Sequence, residues 1–371
     1  MAKRTSDIRM GPKGDFPHMH FAEYGGATRE TDVSNAVLPK FYTSKIIDAL
    51  YERSILAKLA DDITAEVSNP SDALRAFKEV ALTGDGTTSD GTALEGSEER
   101  VELGEVDFEV EELDHAVAFT KSALLLPAVE LRKRAEPLLS NWFNTKVEGK
   151  LLTSAENDAG TVFYGGDATA PDNIDAADTS TPRDIKKAYF YLMAHKIPGY
   201  TLQQLKGWFG DQVDNLAGKS TNPRGGYYVA VLHPGQIYDI TETTEWKTAA
   251  NASATATIQV ALGPNFQATI YAWYGVLLIP DSLCVYTKPT GYAVAYARGF
   301  VFGQQALAFG FQKLNSGSVK FGGLEWQEAS FDYNRLNGVA ILTRFSEGVL
   351  DNSRYIGHYS ALSAAAQAVA V

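Results

Sequence analysis

From Ala81 to Arg100 the chain reads ALTGDGTTSDGTALEGSEER, twenty residues of Gly, Thr, Ala, Leu, Ser and charge with no aromatic side chain. A stretch this poor in apolar surface builds no core of its own. It is a linker, a cation-binding loop, or the tip of a long projection. Its neighbours on either side decide among these. In VELGEVDFEVEELD, Val101 and Leu103 alternate with charge, and after a slip at Gly104–Glu105 so do Val106, Phe108 and Val110. Alternation marks a strand with one buried face, and a glycine at the slip predicts a bulge. Upstream, LRAFKEVAL (residues 74–82) is a second extended run, with Arg75 and Lys78. The pair predicts a long hairpin with the glycine-rich stretch as its tip. Its apolar face is narrow and a lone two-stranded ribbon is marginal in water, so the hairpin is expected to pack against something outside its own fold.

Charge points to the same element. Between Asp61 and Asp114 there are seventeen Asp or Glu against three basic residues, Arg75, Lys78 and Arg100, a charge of −14; the rest of the chain holds 30 basic and 28 acidic residues, or +2, so the net −12 comes entirely from this segment. Acidity gathered on one element argues for a specific face or partner, where a diffuse acidic surface would argue for solubility alone.

The remainder reads as α+β, without internal repeats. Residues 1–34 mix charge, Gly and Pro without periodicity and are expected to form an arm. From about Thr43 a helix is predicted on the stripe Ile46, Ile47, Leu50, Tyr51, Ile55 and Leu59. A long helix is predicted over 128–156, roughly 43 Å at 1.5 Å per residue, on Leu131, Leu138, Leu139, Trp142, Phe143, Val147, Leu151 and Leu152. Pro137 lies inside it and is expected to kink or divide it. Thr181, Pro182 and Asp184 have the order of an N-cap, a first helical position and an acid in the positive first turn. Tyr227–Leu232 reads as a buried strand turned by His233–Pro234 into a short helix, and 268–280 and 324–345 read as further strands. The single cysteine, Cys284, excludes an internal disulfide framework and fits a reducing compartment. The N-terminus has no apolar core of a secretory signal. The apolar window 291–311 carries Arg298, Gln304 and Gln305 and reads as buried protein, so no membrane partner is expected.

Chemistry-bearing motifs are missing. GxSxG, the P-loop, a strand-matched GxGxxG, HExxH and CxxC do not occur. EF-hand spacing counted back from Gly86, Gly91 or Gly96 places Ala81, Gly86 or Gly91 at the first ligand position, so no metal or other cofactor is expected. Histidines 115, 195, 233 and 358 sit beside structural punctuation and read as caps or core residues, and Cys284 as an inert core thiol. No spacing singles out a carboxylate pair for catalysis. Without a basic stripe bearing interleaved aromatics, the chain is suited only to loose, salt-sensitive contact with nucleic acid. No enzymatic activity is expected.

The order of elements, together with ALTGDGTTSDGTALEGSEERVEL, LDHAVAFTKSALLLPAVELRKRAEPLLSNWF, YYVAVLHPGQIYDITETTEWK, ARGFVFGQQALAFGF and LEWQEASFDYNRLNGVAILTRF, resembles the major capsid proteins of tailed bacteriophages, in particular the short-tailed branch of the Hong Kong 97-like fold. The resemblance implies an N-terminal arm (1–34), a helical segment (35–62), an extended E-loop hairpin (63–114), a P-domain (115–225) containing a spine helix at 128–156, an A-domain (226–305) and a return to the P-domain (306–371). It implies a shell of hexamers and pentamers around packaged double-stranded DNA, touched without sequence preference, with portal and scaffolding or decoration proteins as further partners. It implies assembly in the host bacterial cytoplasm and residence in the virion. In the family the E-loop lies across a neighbouring subunit, and the residues expected to make that contact are Glu95, Glu98, Glu99, Glu102, Glu105, Asp107, Glu109 and Glu111. Some relatives weld their shells with a lysine of this loop. No lysine lies between Glu79 and Asp114, so a non-covalent shell is expected. An encapsulin-like compartment shell shares the fold and is the alternative. A secreted calcium-dependent adhesin would need the signal sequence that is missing here.

Overall fold

The structure, a computed structural model, describes residues 46–50, 54–67, 73–79, 103–120, 128–210, 226–251, 256–263, 266–316, 319–331 and 336–370. The expected arm (1–34) and the ribbon tip (80–102) lie outside these.

Among the described residues there are eighteen strands. In chain order these begin with β1 (Asp61–Asp62), β2 (Ala65–Val67), β3 (Ala73–Glu79), β4 (Leu103–Glu109), β5 (Glu111–Glu112) and β6 (His115–Thr120). After the long helix come β7 (Val162–Tyr164), β8 (Tyr228–Leu232), β9 (Ala256–Gly263), β10 (Phe266–Trp273), β11 (Val276–Pro280), β12 (Tyr286–Thr287) and β13 (Tyr296–Phe302). The chain closes with β14 (Leu307–Ser316), β15 (Val319–Phe321), β16 (Leu324–Phe331), β17 (Leu336–Val349) and β18 (Tyr355–Ala361).

Two eight-stranded sheets and one two-stranded ribbon result. In the first sheet, β17 is long enough to serve different neighbours along its length: residues 336–341 lie between β16 and β6, and 345–349 pair with β14. The other edge of β14 takes β1 and β2 in parallel. The second sheet runs β7-β18-β13-β8-β11-β10-β9, with β12 on β13. β8 is buried along its whole length because both its faces are covered. Val229 and Val231 point toward the long helix and join one core, while Tyr228, Ala230 and Leu232 join a second core with Ile185, Ala188 and Leu192 of the helix Pro182–Ala194.

The spine helix, Ala128–Asn157, ties the two sheets together. Leu139, Phe143, Val147, Leu151 and Ala155 share one core with Phe309, Phe311 and Phe345 of the first sheet and Phe300, Phe302 and Tyr355 of the second. Phe143 stacks on Phe311 at 6.1 Å, and the Tyr355 hydroxyl donates to the Ala155 carbonyl at 2.9 Å.

Several expectations are corrected. The spine helix is not divided at Pro137: it runs unbroken across it, held on either side by Ala135 and Leu139, both fully buried. Packing of the apolar stripe outweighs the local cost of proline. Leu138 is not in that stripe. It is 62% exposed, because the buried set advances by four residues and leaves 138 about 100° round the helix from Leu139. The first helical stretch is interrupted at Ser54, whose backbone is extended and whose Oγ accepts the Ala57 N–H at 3.1 Å, starting a new helix, Ile55–Leu59. Ile46, Leu50, Ile55 and Leu59 are nevertheless all buried, as the spacing predicted. The cap at 181–184 forms as expected, with Asp184 accepting the Thr181 N–H at 3.0 Å and its hydroxyl at 2.7 Å.

Candidate assembly surface

The ribbon is the antiparallel pair β3–β4, in register from Ala73↔Glu109 to Glu79↔Leu103 without a shift. The expected bulge at Gly104–Glu105 is therefore not there; the strand is interrupted at Val110, between β4 and β5. Regular pairing gives the ribbon two distinct faces. One carries Leu74, Ala76, Val106 and Phe108; Leu74, Ala76 and Phe108 are buried. Phe108 and Ala76 pack with Ala308 and Leu350, and the Phe108 ring crosses Gly348 so closely that a Cβ there would come within 2.5 Å of it. The ribbon root thus packs on its own subunit's first sheet, a correction to the expectation that it needs cover from outside. That cover is made by β14 and β17, which are distant in sequence.

The other face carries Arg75 and Phe77 opposite Glu105, Asp107 and Glu109. Phe77 is 55% exposed. Arg75 Nε donates to Asp107 Oδ1 at 2.7 Å, Nη2 to Oδ2 at 3.0 Å, and Nη1 reaches Glu105 at 2.8 Å. The Arg75 hydrogen bond holds the Asp107 carboxyl below its ordinary range. Like charges along one face of a strand repel, and here a cation of the facing strand partly relieves that repulsion. Glu111 does not share this face: it lies in β5, opposite Phe345 of β17, and pairs with Lys150 of the spine helix, which also reaches Glu347 at 3.7 Å. Glu95, Glu98, Glu99 and Glu102 lie outside the described residues.

Three of the four scattered histidines, His195, His233 and His358, behave as caps or core groups; His115 is exposed in β6 and does neither. His233 Nδ1 accepts the Gly235 N–H at 3.1 Å at the start of the helix Pro234–Glu242. His195 closes the helix Pro182–Ala194. His358 is buried, 2.8 Å from the Ser180 hydroxyl, and burial lowers its pKa. His115 stacks on Trp142 at 4.4 Å. Cys284 is buried, and burial pushes its thiol pKa up, away from reactivity. Among the described residues no three or more His, Cys, Asp or Glu are grouped to hold a metal ion, and no helix is long and apolar enough to cross a membrane.

Sequence reasoning missed Glu148. It lies on the spine helix with its carboxyl buried, and its Oε1 accepts the N–H groups of Ile55 at 2.9 Å and Leu56 at 3.3 Å. The available signal was Ser140, Asn144 and Glu148 at four-residue spacing, a polar row beside the apolar stripe.

A two-stranded ribbon seated on a body of two sheets bound by one long helix is the Hong Kong 97-like architecture. Residues 211–349 match the model of a family described as "Phage capsid protein". No curated protein matches the chain. Among solved structures it is similar to the capsid of Ralstonia phage GP4, at 17% identity and a TM-score of 0.58, covering 84% of this chain and 92% of that one. It is similar also to the capsid of Helicobacter pylori bacteriophage KHP30 (14% identity, TM-score 0.52, 83% and 90% covered) and to that of cyanophage P-SCSP1u (13%, 0.51, 84% and 89%). At these identities the likeness is one of fold.

Proposed function

We propose that the chain is the major capsid protein of a tailed phage, many copies of which close into an icosahedral shell of hexamers and pentamers around double-stranded DNA. The observation that carries this reading is the fold, shared over more than four-fifths of the chain with phage capsids. The subunit acts as a building block and has no catalytic role. Portal and scaffolding or decoration proteins, loose phosphate contact with the packaged DNA, and assembly in the host bacterial cytoplasm belong to the same proposal. So does the division into arm (1–34), helical segment (35–62), E-loop (63–114), P-domain (115–225 and 306–371) and A-domain (226–305).

Within it, the outer ribbon face is the inter-subunit contact. Phe77 and Glu109 stand in solvent there, and Glu105 with Asp107 brings two negative charges against the one positive charge of Arg75. Glu95, Glu98, Glu99 and Glu102 of the tip extend the same contact, whereas Glu111 is engaged by Lys150 of its own spine helix and stands apart from it. Surface pairs are each worth about 0–1 kcal/mol, but a shell repeats the contact at every subunit. The test is assembly of the purified full-length chain, followed by light scattering and negative-stain microscopy. Closed shells are expected, and a protein that remains monomeric under all salt and concentration conditions overturns the reading. The ribbon contact is tested by the triple variant Arg75→Glu, Glu105→Lys, Asp107→Lys. It keeps the cross-strand pairing inside the ribbon while reversing the sign shown to a neighbour. A folded subunit that assembles poorly at low salt is expected. Normal shells from this variant mean that the acidic face contacts no neighbour.

A further inference from the structure

Exposed aromatic side chains mark two places on the described surface. Phe77 is 55% exposed on the outer face of the ribbon, and Phe190 and Tyr274 are 52% and 48% exposed beside the second sheet. The first ring stands among acids. Phe77 lies opposite Glu105, the Arg75–Asp107 pair is two residues along, and Glu109 follows on the same face, so three negative charges meet one positive.

The other two rings stand among cations. Along the helix Pro182–Ala194, Ile185, Ala188 and Leu192 are buried with Tyr228, Ala230 and Leu232 of β8. At 100° per residue, Arg183, Lys186, Lys187 and Phe190 fall within about 100° of one another on the opposite side. Asp184, the one acid of this helix, is turned back onto the Thr181 N–H and hydroxyl. Tyr274 and Gly275 make the turn between β10 and β11, at φ 48° and 84°. Positive φ suits glycine or asparagine, so a tyrosine held there is kept against its own backbone preference. Lys186 Nζ lies 4.6 Å from the centre of the Tyr274 ring, and the neighbouring Trp273 Nε1 donates to the Pro182 carbonyl at 3.0 Å, which fixes the turn to the start of the helix. Lys187 Nζ sits 4.7 Å from the centre of the Phe163 ring. A cation resting on a ring keeps its full charge for a further partner.

The two surfaces match in both respects, one ring among acids and two rings among cations. Their exposure shows that they do not cover each other within one subunit. The ribbon root is seated on the first sheet, while the helix covers the face of the second sheet turned away from the spine helix. We propose that Arg183, Lys186, Lys187, Phe190 and Tyr274 form the surface that receives the outer ribbon face of a second copy of this chain. Phe77 enters beside the two rings, and Glu105, Asp107 and Glu109 meet the three cations. The proposal rests on the reading of the ribbon as an inter-subunit contact and adds the surface that receives it. Such a contact joins two different faces of one chain, so it repeats head to tail, and a rotation that closes makes it a ring.

The first test is carbodiimide coupling of lysine to carboxylate in a mixture of isotope-labelled and unlabelled full-length chain, read by mass spectrometry. Mixed-isotope peptides joining Lys186 or Lys187 to Glu105, Asp107 or Glu109 are expected. Assembled copies without them overturn the receiving surface alone; a chain that stays monomeric under all conditions overturns the shell reading as well. The second test reverses charge. Arg183→Glu, Lys186→Glu and Lys187→Glu together should raise the concentration needed for assembly at low salt by about tenfold or more. Acids in the first turns of a helix favour it, so the fold should hold. Adding Arg75→Glu, Glu105→Lys, Asp107→Lys and Glu109→Lys to the same chain sets opposite signs against each other again and should recover most of the loss. Assembly untouched by the first set overturns the proposal, and so does a loss that the second set fails to recover while β8 keeps its hydrogen-exchange protection. A first variant that assembles normally and loses only its retention of double-stranded DNA assigns the cations to phosphate, and this too overturns it. If the combined variant misfolds, the coupling result decides.

Discussion

Replacing Phe108 by alanine should separate the ribbon from the body, and the structure sets the size of the effect. The ring is 5% exposed and packs with Ala76, Val106, Ile63, Ala308 and Leu350, with its edge over Gly348. Few of these neighbours can move into the space: Ala76 is bound in the β3–β4 ladder, and Ala308 lies in β14 between β1 and β17. A buried phenylalanine truncated in such a setting costs about 3–5 kcal/mol, of which part is the cavity left behind. The loss should fall on the ribbon rather than on the whole subunit, because this cluster is distinct from the core around the spine helix. The assay is hydrogen exchange on the free full-length subunit. Amides of 73–79 and 103–109 should lose at least tenfold in protection, while those of β8 and of 139–152 hold theirs. Gly348→Ala makes the same point from the opposite side, since its new methyl group would meet ring atoms Cδ1 and Cε1 at about 2.5 Å. Ribbon protection unchanged in both variants would refute the claim that the ribbon root is seated on its own sheet.

The Glu148 carboxyl also makes global stability depend on pH. An unfolded glutamate releases its proton near 4.5 and the folded one near 8, so the native state binds more protons in between and stability falls as pH rises across that window. The full span is worth about 5 kcal/mol at most. Burial lowers the pKa of His358 and His233, which makes stability rise with pH up to their ordinary range, so the Glu148 slope is cleanest between 6.5 and 8. Urea unfolding should show that slope in the unmodified chain and a flat line in Glu148→Gln; equal slopes would contradict it. Tyr200→Phe removes the hydroxyl that bonds Leu59 and Gly303 and should cost about 1–3 kcal/mol in the same assay, with a loss below about 0.5 counting against that bond. Pro137→Ala, at an exposed position inside an unbroken helix, should raise stability by about 1–3 kcal/mol, and a decrease would show that the proline is required where it stands.

Local patterns in the chain determined a good deal. Alternation around Val106 and Phe108 was enough to specify a strand with one buried side, and four-residue spacing from Leu139 to Leu151 a helix with one buried stripe, because these periods are properties of the backbone itself. The Thr181–Asp184 cap and the His233–Pro234 turn were legible for the same reason: their partners lie within three residues. The acidic outer face of the ribbon was visible as composition, and the order of elements pointed to the capsid fold.

What covers each face was settled only in three dimensions. Nothing near Phe108 in sequence announces Gly348 or Leu350, so the local pattern asks for a partner outside the subunit when β14 and β17 supply one. Regular pairing with β3 removed the bulge that Gly104 suggested, since a ladder is a property of two strands and the glycine belongs to one. Packing on both sides of Pro137 kept the helix whole against its local preference. Glu148 makes the point most sharply: a glutamate in a helix reads as a solvated residue until two backbone N–H groups more than ninety positions earlier are brought to it, with Asp281 beside it. Burial, and with it the free energy of a charge, is set by what the chain brings back from far away, and no local period encodes that.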